Sequence, residues 1–382
     1  MVRNTENNII LSIQDMSNFL SIIWYKVLPA HYGGQKGISR FNHHLGMKVR
    51  LTALCSADNI TTSELTYKII PALPVSKTQF FNPRVRRRIL RELSNQQYTH
   101  VILEHPYHAW LSEYKKKFGF KLIVHAHNIE FLRMKQRNKW WWRWVKYAEQ
   151  KAYKHADYIL FKTKKDLLLA KQLFNITEEQ SIIVPYGIDL KEPPAFHSSV
   201  KEKIKSKHHL LPGEKIILFA ATPDYEPNVI ALDIICSKII PALKKRPEFK
   251  FRVLICGKQS EETVNKYQHQ KEILFTGFVD RIDEYMLAAS VFINPVISGS
   301  GIQTKNLEAI ANGLSVVTTH FAAEGLPDYL INSKVFISNN NDWDNFAENI
   351  ISLSGQHNPT PSQFYADFYW GNIIDRTLTI LL

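Results

Sequence analysis

With 382 residues, 45% apolar content and three widely spaced cysteines that match no metal-binding pattern, the sequence excludes a disordered tail and a cysteine-ligated metal domain, and leaves room for two or three domains. Cys55, Cys236 and Cys256 sit in apolar runs and read as buried thiols of a reducing compartment. The net charge of +13 belongs to one half: residues 1–195 hold 30 Lys+Arg against 15 Asp+Glu, whereas 196–382 hold 18 against 20. That asymmetry points the first half toward an anionic partner such as a lipid surface, a phosphorylated acceptor or nucleic acid.

In chain order, residues 9–28 are apolar but broken by Gln14, Asp15 and Asn18, with no small-residue cleavage site, so neither a signal peptide nor a spanning helix is expected. Residues 1–18 read as an extension outside the fold. The first strand is expected over 19–28. Gly33, Gly34 and Gly37, with Lys36 among them, follow as a loop suited to facing phosphate, although a plain turn accounts for one or two of these glycines. Apolar runs at 49–54, 100–103, 121–125 and 156–161 then alternate with helical patterns near 83–96, 107–117, 139–154 and 163–174. Periodicity lapses over 187–194. It resumes with strands at 215–221, 250–256, 272–275, 290–294, 315–318 and 334–337 between helices at 228–244, 260–269, 280–289, 304–312 and 342–353. The pattern predicts two Rossmann-like, doubly wound α/β domains facing a cleft, over 19–190 and 191–355, followed by an amphipathic tail in 356–382.

The densest chemistry lies in NPVISGSGIQTKNLEAIANGLSVVTT, residues 294–319, a strand–glycine turn–helix–strand sequence. Gly299 and Gly301 allow backbone N–H groups to approach a ligand, and the helix start with Lys305 supplies positive charge for a diphosphate. Glu308 would repel phosphate and suits a ribose diol. The plainer reading is an ordinary loop followed by a solvated Lys–Glu pair. In the first half, His127 ends a strand where open α/β sheets place ligands, and His125 is expected to face elsewhere. Arg84–Arg91 and Arg137–Lys151 are basic, the second with four tryptophans, a mixture that suits an anionic membrane interface or, equally, a helix packed on its own domain. Asp342-Trp343-Asp344 mimics a metal motif but reads as a helix start.

Together these pieces resemble the retaining glycosyltransferases of family four, which have the GT-B fold, in the branch with a GSG turn before the EA-containing helix. The resemblance rests on PAHYGGQKG (29–37), HAHNIEFLR (125–133), VPYGID (184–189), YEPN (225–228), FTGFVDRIDEYMLAASVFINP (275–295), GSGIQTKNLEAIANG (299–313) and Glu324-Gly325-Leu326. It implies a nucleotide-diphosphate sugar donor held by the C-terminal domain at Asn228, Gly299, Ser300, Gly301, Ile302 and Glu324, with Lys305 on the diphosphate and Glu308 on the ribose. Gly34 and Gly37 would approach the diphosphate, and His127 the donor sugar near the reacting carbon. The family's first motif glutamate falls at Ser300, and its usual Arg and Lys pair is not evident after strand 215–221. The resemblance further implies a glycan or lipid-linked acceptor, no metal or other cofactor, no nucleic-acid partner, and a last helix crossing back to the N-terminal domain. Its expected setting is cell-surface glycan or polysaccharide synthesis in the cytoplasm, and the basic half suits peripheral attachment to the inner face of a membrane. Open alternatives are a donor-dead GT-B protein, a nucleotide-sugar epimerase or hydrolase, and a noncatalytic nucleic-acid binder.

Overall fold

The computed structural model describes residues 17–61, 65–195, 198–221, 225–299 and 302–382, so most of the expected N-terminal extension, together with Ser300 and Gly301, lies outside the described residues. The chain forms two compact units, residues 1–187 with 368–382, and residues 188–367.

The first unit is built on seven parallel strands: β1 Asn18–Ile23, β2 Arg50–Ser56, β3 Lys68–Leu73, β4 His100–Glu104, β5 Lys121–Ala126, β6 Tyr158–Phe161 and β7 Ser181–Ile183. They are ordered β3-β2-β1-β4-β5-β6-β7. Helices α1 Gly33–Gly46, α2 Pro83–Asn95, α3 Lys115–Phe118, α4 Glu130–Gln136, α5 Trp142–His155 and α6 Lys164–Phe174 connect them. Because helices cover both faces, β1, β4 and β5 read as continuous apolar runs rather than alternating ones. Helix α1 forms because Ile38, Phe41 and Leu45 recur at helical spacing and are buried in the core.

The second unit holds β8 Lys215–Ala220, β9 Phe251–Cys256, β10 Ile273–Gly277, β11 Val291–Asn294, β12 Val316–Thr319 and β13 Val335–Ser338, ordered β10-β9-β8-β11-β12-β13. Its helices are α7 Ser198–Lys207, α8 Glu226–Ile234, α9 Ile240–Lys244, α10 Glu261–Tyr267, α11 Ile282–Ala288, α12 Thr304–Ala311, α13 Trp343–Leu353 and α14 Ser362–Phe368. A last helix, α15 Trp370–Leu381, belongs to the first unit and packs on α1. In each sheet the strand order reverses beside the first strand, between β1 and β4 and between β8 and β11. That position is where doubly wound folds open a crevice at the carboxyl ends of their strands.

Several local expectations are corrected. β1 ends at Ile23, not near 28, because the Asn59 side chain replaces the ladder: its Oδ1 accepts from Val27 N at 2.7 Å and Leu28 N at 2.9 Å. Gly33, Gly34 and Gly37 do not form a loop; α1 starts at Gly33, and the chain before it is held by Gln35, which accepts from His31 N at 2.8 Å and donates to Lys26 O at 3.0 Å. The helix expected over 107–117 is a 3₁₀ segment, Pro106–Tyr114, leading into α3. The helix expected over 228–244 is interrupted by a π turn at Ile235–Ile239, where the wider turn makes room for Pro241, which has no N–H to give. Asp342 is a helix cap, accepting from Asn345 N at 3.1 Å. All three cysteines are buried and free. Among the described residues no helix is long and apolar enough to cross a membrane.

Candidate functional site

In the second unit, the carboxyl ends of β8 and β11 bring Asn228, Gly299, Ile302, Lys305 and Glu308 into one region. After β11 the chain turns through Gly299, whose φ of +127° is a glycine conformation and whose added Cβ would lie 2.8 Å from the Tyr225 hydroxyl. Tyr225 stands at the start of α8, so the loop after β11 and the helix after β8 meet here at the closest approach glycine permits. Helix α12 then begins after Gln303, and among the described residues no side chain caps it; Asn306 N bonds back to Gln303 O at 3.0 Å, and the N–H groups of Thr304 and Lys305 stand at a helix start of the kind that receives anions.

Lys305, half-buried in the first turn of α12, donates to Asn228 Oδ1 at 2.7 Å and lies 4.8 Å over the Phe219 ring. Burial pushes its ammonium down to about 7, opposed by the Glu308 carboxylate. Glu308, one turn later on the same face, is half-buried. The helix is fixed by Asn306, whose role no local sequence pattern signals. Buried Asn306 accepts from Asn294 Nδ2 at 2.9 Å and donates to Ala322 O at 2.7 Å, joining α12 to the ends of β11 and β12. Glu324 is exposed in the turn after β12, next to Gly325 with φ +83°.

In the first unit, His127 follows β5 directly, with its side chain 12% exposed, and its Nε2 lies 2.7 Å from Glu104 Oε2. His125 does not face away. Residues two apart share a face of a strand, so its ring lies 4.3 Å from that of His127, and its Nδ1 is 3.0 Å from the same Glu104 oxygen. The strand register explains the convergence, because Glu104 on β4 pairs with His125 on β5. Burial first, then neighbouring His125, holds His127 well below the usual histidine range, so the ring is neutral near pH 7. His105 stacks on His127 with centroids 4.6 Å apart, in a left-handed backbone conformation at φ +76°. Behind them, buried Glu149 caps α4 by accepting from Glu130 N at 2.9 Å and Phe131 N at 3.1 Å.

Glu104, His125 and His127 form the one group among the described residues whose donor atoms could surround a metal ion, all within 4.8 Å of one another. The separations from Glu104, 2.7 Å for His127, which is a hydrogen bond, and 3.0 Å for His125, are shorter than those of ligands on a tetrahedral ion, which lie about 3.3 Å apart for bonds near 2.0 Å. Gly34 and Gly37 lie in the first turns of α1. Room for a Cβ remains at Gly34, whereas at Gly37 it would come to 3.4 Å from the Tyr186 ring.

The basic and aromatic segments divide. Arg86 lies over Trp110 at 4.9 Å and pairs with Glu113, and Arg88 pairs with Glu92, so these two arginines are engaged, while Arg84, Arg87 and Arg91 share an exposed face of α2. Trp141, Trp142 and Trp144 pack against the core, and Trp140 is 87% exposed.

Residues 39–192 match the family model Glycosyltransferase Family 4, and residues 214–356 match the model Glycosyl transferases group 1. No curated protein sequence matches the chain. Among solved structures, the chain is similar to WaaG, a glycosyltransferase involved in lipopolysaccharide biosynthesis, at 15% identity and a TM-score of 0.69, covering 94% of this chain and 99% of that one. It is also similar to Anabaena HepE in complex with UDP and glucose (12% identity, TM-score 0.70, 95% and 99% covered). Sucrose-phosphate synthase from Thermosynechococcus elongatus aligns at 13% identity and a TM-score of 0.71, with 95% and 98% covered. With one model on each half and two parallel-sheet domains of GT-B type, the chain belongs to a GT4-type family of glycosyltransferases.

Proposed function

We propose that the protein moves a sugar from a nucleoside-diphosphate sugar to an acceptor hydroxyl with retention of configuration. The observation that carries this reading is Lys305: a half-buried ammonium in the first turn of a helix that no described side chain caps, facing a neutral amide and an aromatic ring, beside a glycine turn at the switch point of the second sheet. Such a group is poised to gain an anion.

In this reading Lys305 and the α12 N–H groups take the diphosphate, with Ser300, Gly301 and Ile302 on the adjoining turn, and Glu308 takes the ribose hydroxyls. Asn228 orients Lys305, Glu324 reaches the donor sugar, and Gly34 and Gly37 admit the donor to the first unit's backbone. His127 meets a sugar hydroxyl. The acceptor oxygen attacks the anomeric carbon on the face the diphosphate leaves. The C–O bond to phosphate breaks, and the acceptor proton passes to a phosphate oxygen of the departing diphosphate. Lys305 and the helix N-terminus stabilise the negative charge that develops there, so the reading calls for no metal or other cofactor.

The acceptor is proposed to be a surface glycan or a lipid-linked sugar, reached from the cytoplasmic face of a membrane. Phe81, 68% exposed, lies 4.8 Å from the Trp144 ring, and Lys77 lies 5.3 Å over Trp141, so aromatic and basic groups from two segments share a surface near Trp140.

A thermal-shift screen of UDP, GDP, ADP, CMP and their sugar conjugates tests the reading, beginning with UDP because HepE was solved with it. A ligand at a hundred times its Kd adds about 2.7 kcal/mol of stability. Stabilisation by one nucleotide family, cut by about half or more in Lys305→Met, is expected; no shift with any nucleotide refutes it. Ser300, where the family motif has a glutamate, favours a second reading in which the nucleotide binds without transfer, and it predicts a shift with no turnover on any acceptor.

A further inference from the structure

Glu104 ends β4, fully buried between the ends of β1 and β5, where a carboxylate has no reason to sit for packing alone. Its Oε2 meets His127 Nε2 at 2.7 Å, a charge-assisted hydrogen-bond distance. A carboxylate only accepts, and a neutral imidazole carries one N–H and one lone pair. The proton of His127 therefore belongs on Nε2. Its Nδ1 has no hydrogen-bond partner among the described residues, and the ring keeps its small exposure at the strand end.

We infer that Glu104 is a positioning residue that fixes His127 as the Nε2–H tautomer and thereby makes the histidine a hydrogen-bond acceptor for a sugar hydroxyl. A histidine of the other tautomer would present an N–H and favour a phosphate or carbonyl oxygen instead. The surroundings favour the same choice. Lys162, just after β6, is buried with no hydrogen-bond partner for Nζ among the described residues, and its ammonium, lowered to about 8 by burial, is drawn back up by the Glu104 charge. His105, stacked on the ring with centroids 4.6 Å apart, restricts rotation of the imidazole. The second step of the inference, what the acceptor nitrogen touches, rests on the proposed placement of His127 against the sugar.

Histidine ¹⁵N–¹H correlation spectra of the full chain, with the His127 signals identified by their loss in His127→Ala, test the tautomer without any substrate. The expected wild-type spectrum shows a neutral ring protonated on Nε2, unchanged by EDTA. A ring protonated on Nδ1, or one whose signals change when EDTA strips a metal, overturns the inference. In Glu104→Gln the amide can offer its own N–H, so the population protonated on Nδ1 should rise; an unaltered tautomer also overturns it. For the functional step, Glu104→Gln should lower kcat about tenfold to a hundredfold with Kd for nucleotide within about twofold of wild type. Full transfer in Glu104→Gln despite a changed tautomer removes Glu104 from the reaction. Full transfer in His127→Ala instead removes His127 from the site, leaving the tautomer result standing. If Glu104→Gln fails to fold, the wild-type spectrum alone decides the tautomer, and Glu104→Asp, which withdraws the carboxylate by one methylene, supplies the kinetic comparison.

Discussion

If Lys305 receives a diphosphate, donor affinity must depend on pH in a particular direction. Burial lowers its ammonium to about 7 in the free protein. A bound diphosphate supplies the counter-charge that Asn228 lacks, so the bound form holds its proton to well above that value. Binding then takes up a proton whenever the free lysine has lost one. The sign follows: affinity is full below pH 7 and falls as pH rises through the free-state value. Taking about 7 for the free lysine and a bound-state value of about 10, the dissociation constant rises roughly 30-fold between about pH 6 and about pH 8.5. Proton uptake grows over the same span from about 0.1 to nearly one. Isothermal titration calorimetry with a nucleoside-diphosphate sugar, in buffers of different ionisation enthalpy, reads both quantities. The sugar-linked diphosphate has no secondary ionisation in this range, so the slope reports on the protein. Lys305→Met should bind about tenfold to a hundredfold more weakly at about pH 6.5, the loss of one charge-assisted bond of about 1.5–3 kcal/mol, with a flat profile. A flat wild-type profile, or the same slope in wild type and Lys305→Met, refutes the reasoning.

Three further outcomes can be measured separately. Gly299→Ala combines a φ forbidden to L-residues with a Cβ 2.8 Å from the Tyr225 hydroxyl, so nucleotide affinity should fall at least about tenfold while the far-ultraviolet circular dichroism stays native. Glu149→Ala leaves two buried N–H groups at the start of α4 without an acceptor and should cost about 3 kcal/mol in urea denaturation; a change below about 1 kcal/mol would mean that water replaces the cap. Reversing the exposed Arg84, Arg87 and Arg91 to glutamate, leaving the engaged Arg86 and Arg88 alone, should weaken sedimentation with phosphatidylserine vesicles at low salt. Unchanged sedimentation assigns that face to solvent.

The layered fold was readable because parallel strands covered on both faces leave unbroken apolar runs, and these runs lie where the pattern places them to within a few residues. What escaped followed from contacts that a local window does not contain. β3 carries Pro71 and is half-exposed, as an edge strand can be, so its composition resembles a loop. The end of β1 is not legible locally because Asn59, more than thirty residues away, supplies the hydrogen bonds that Val27 and Leu28 make in place of a ladder. Pro241 was the signal for the break in the helix expected over 228–244, although a proline alone does not reveal that a π turn absorbs it.

The chemistry shows the same limit more sharply. Lys305 and Glu308 share a helix, and helical spacing places them side by side from sequence alone. Glu104 ends one strand and His127 follows the end of its neighbour, and only the register of β4 against β5 puts one oxygen beside two imidazoles. A trace was nonetheless present. HVILE closes a fully buried strand on an acid, and VHAH at the end of the next puts one histidine in the strand and a second just past it, two residues on and at the same face. An acid at the inner end of an apolar strand must find a partner or lose its charge, and in an open parallel sheet the nearest partner is the end of the adjacent strand. Strand ends that carry ionisable residues therefore need to be read in pairs across the sheet, because the side chain that sets the protonation of a site residue lies beside it in space, more than twenty residues away in sequence.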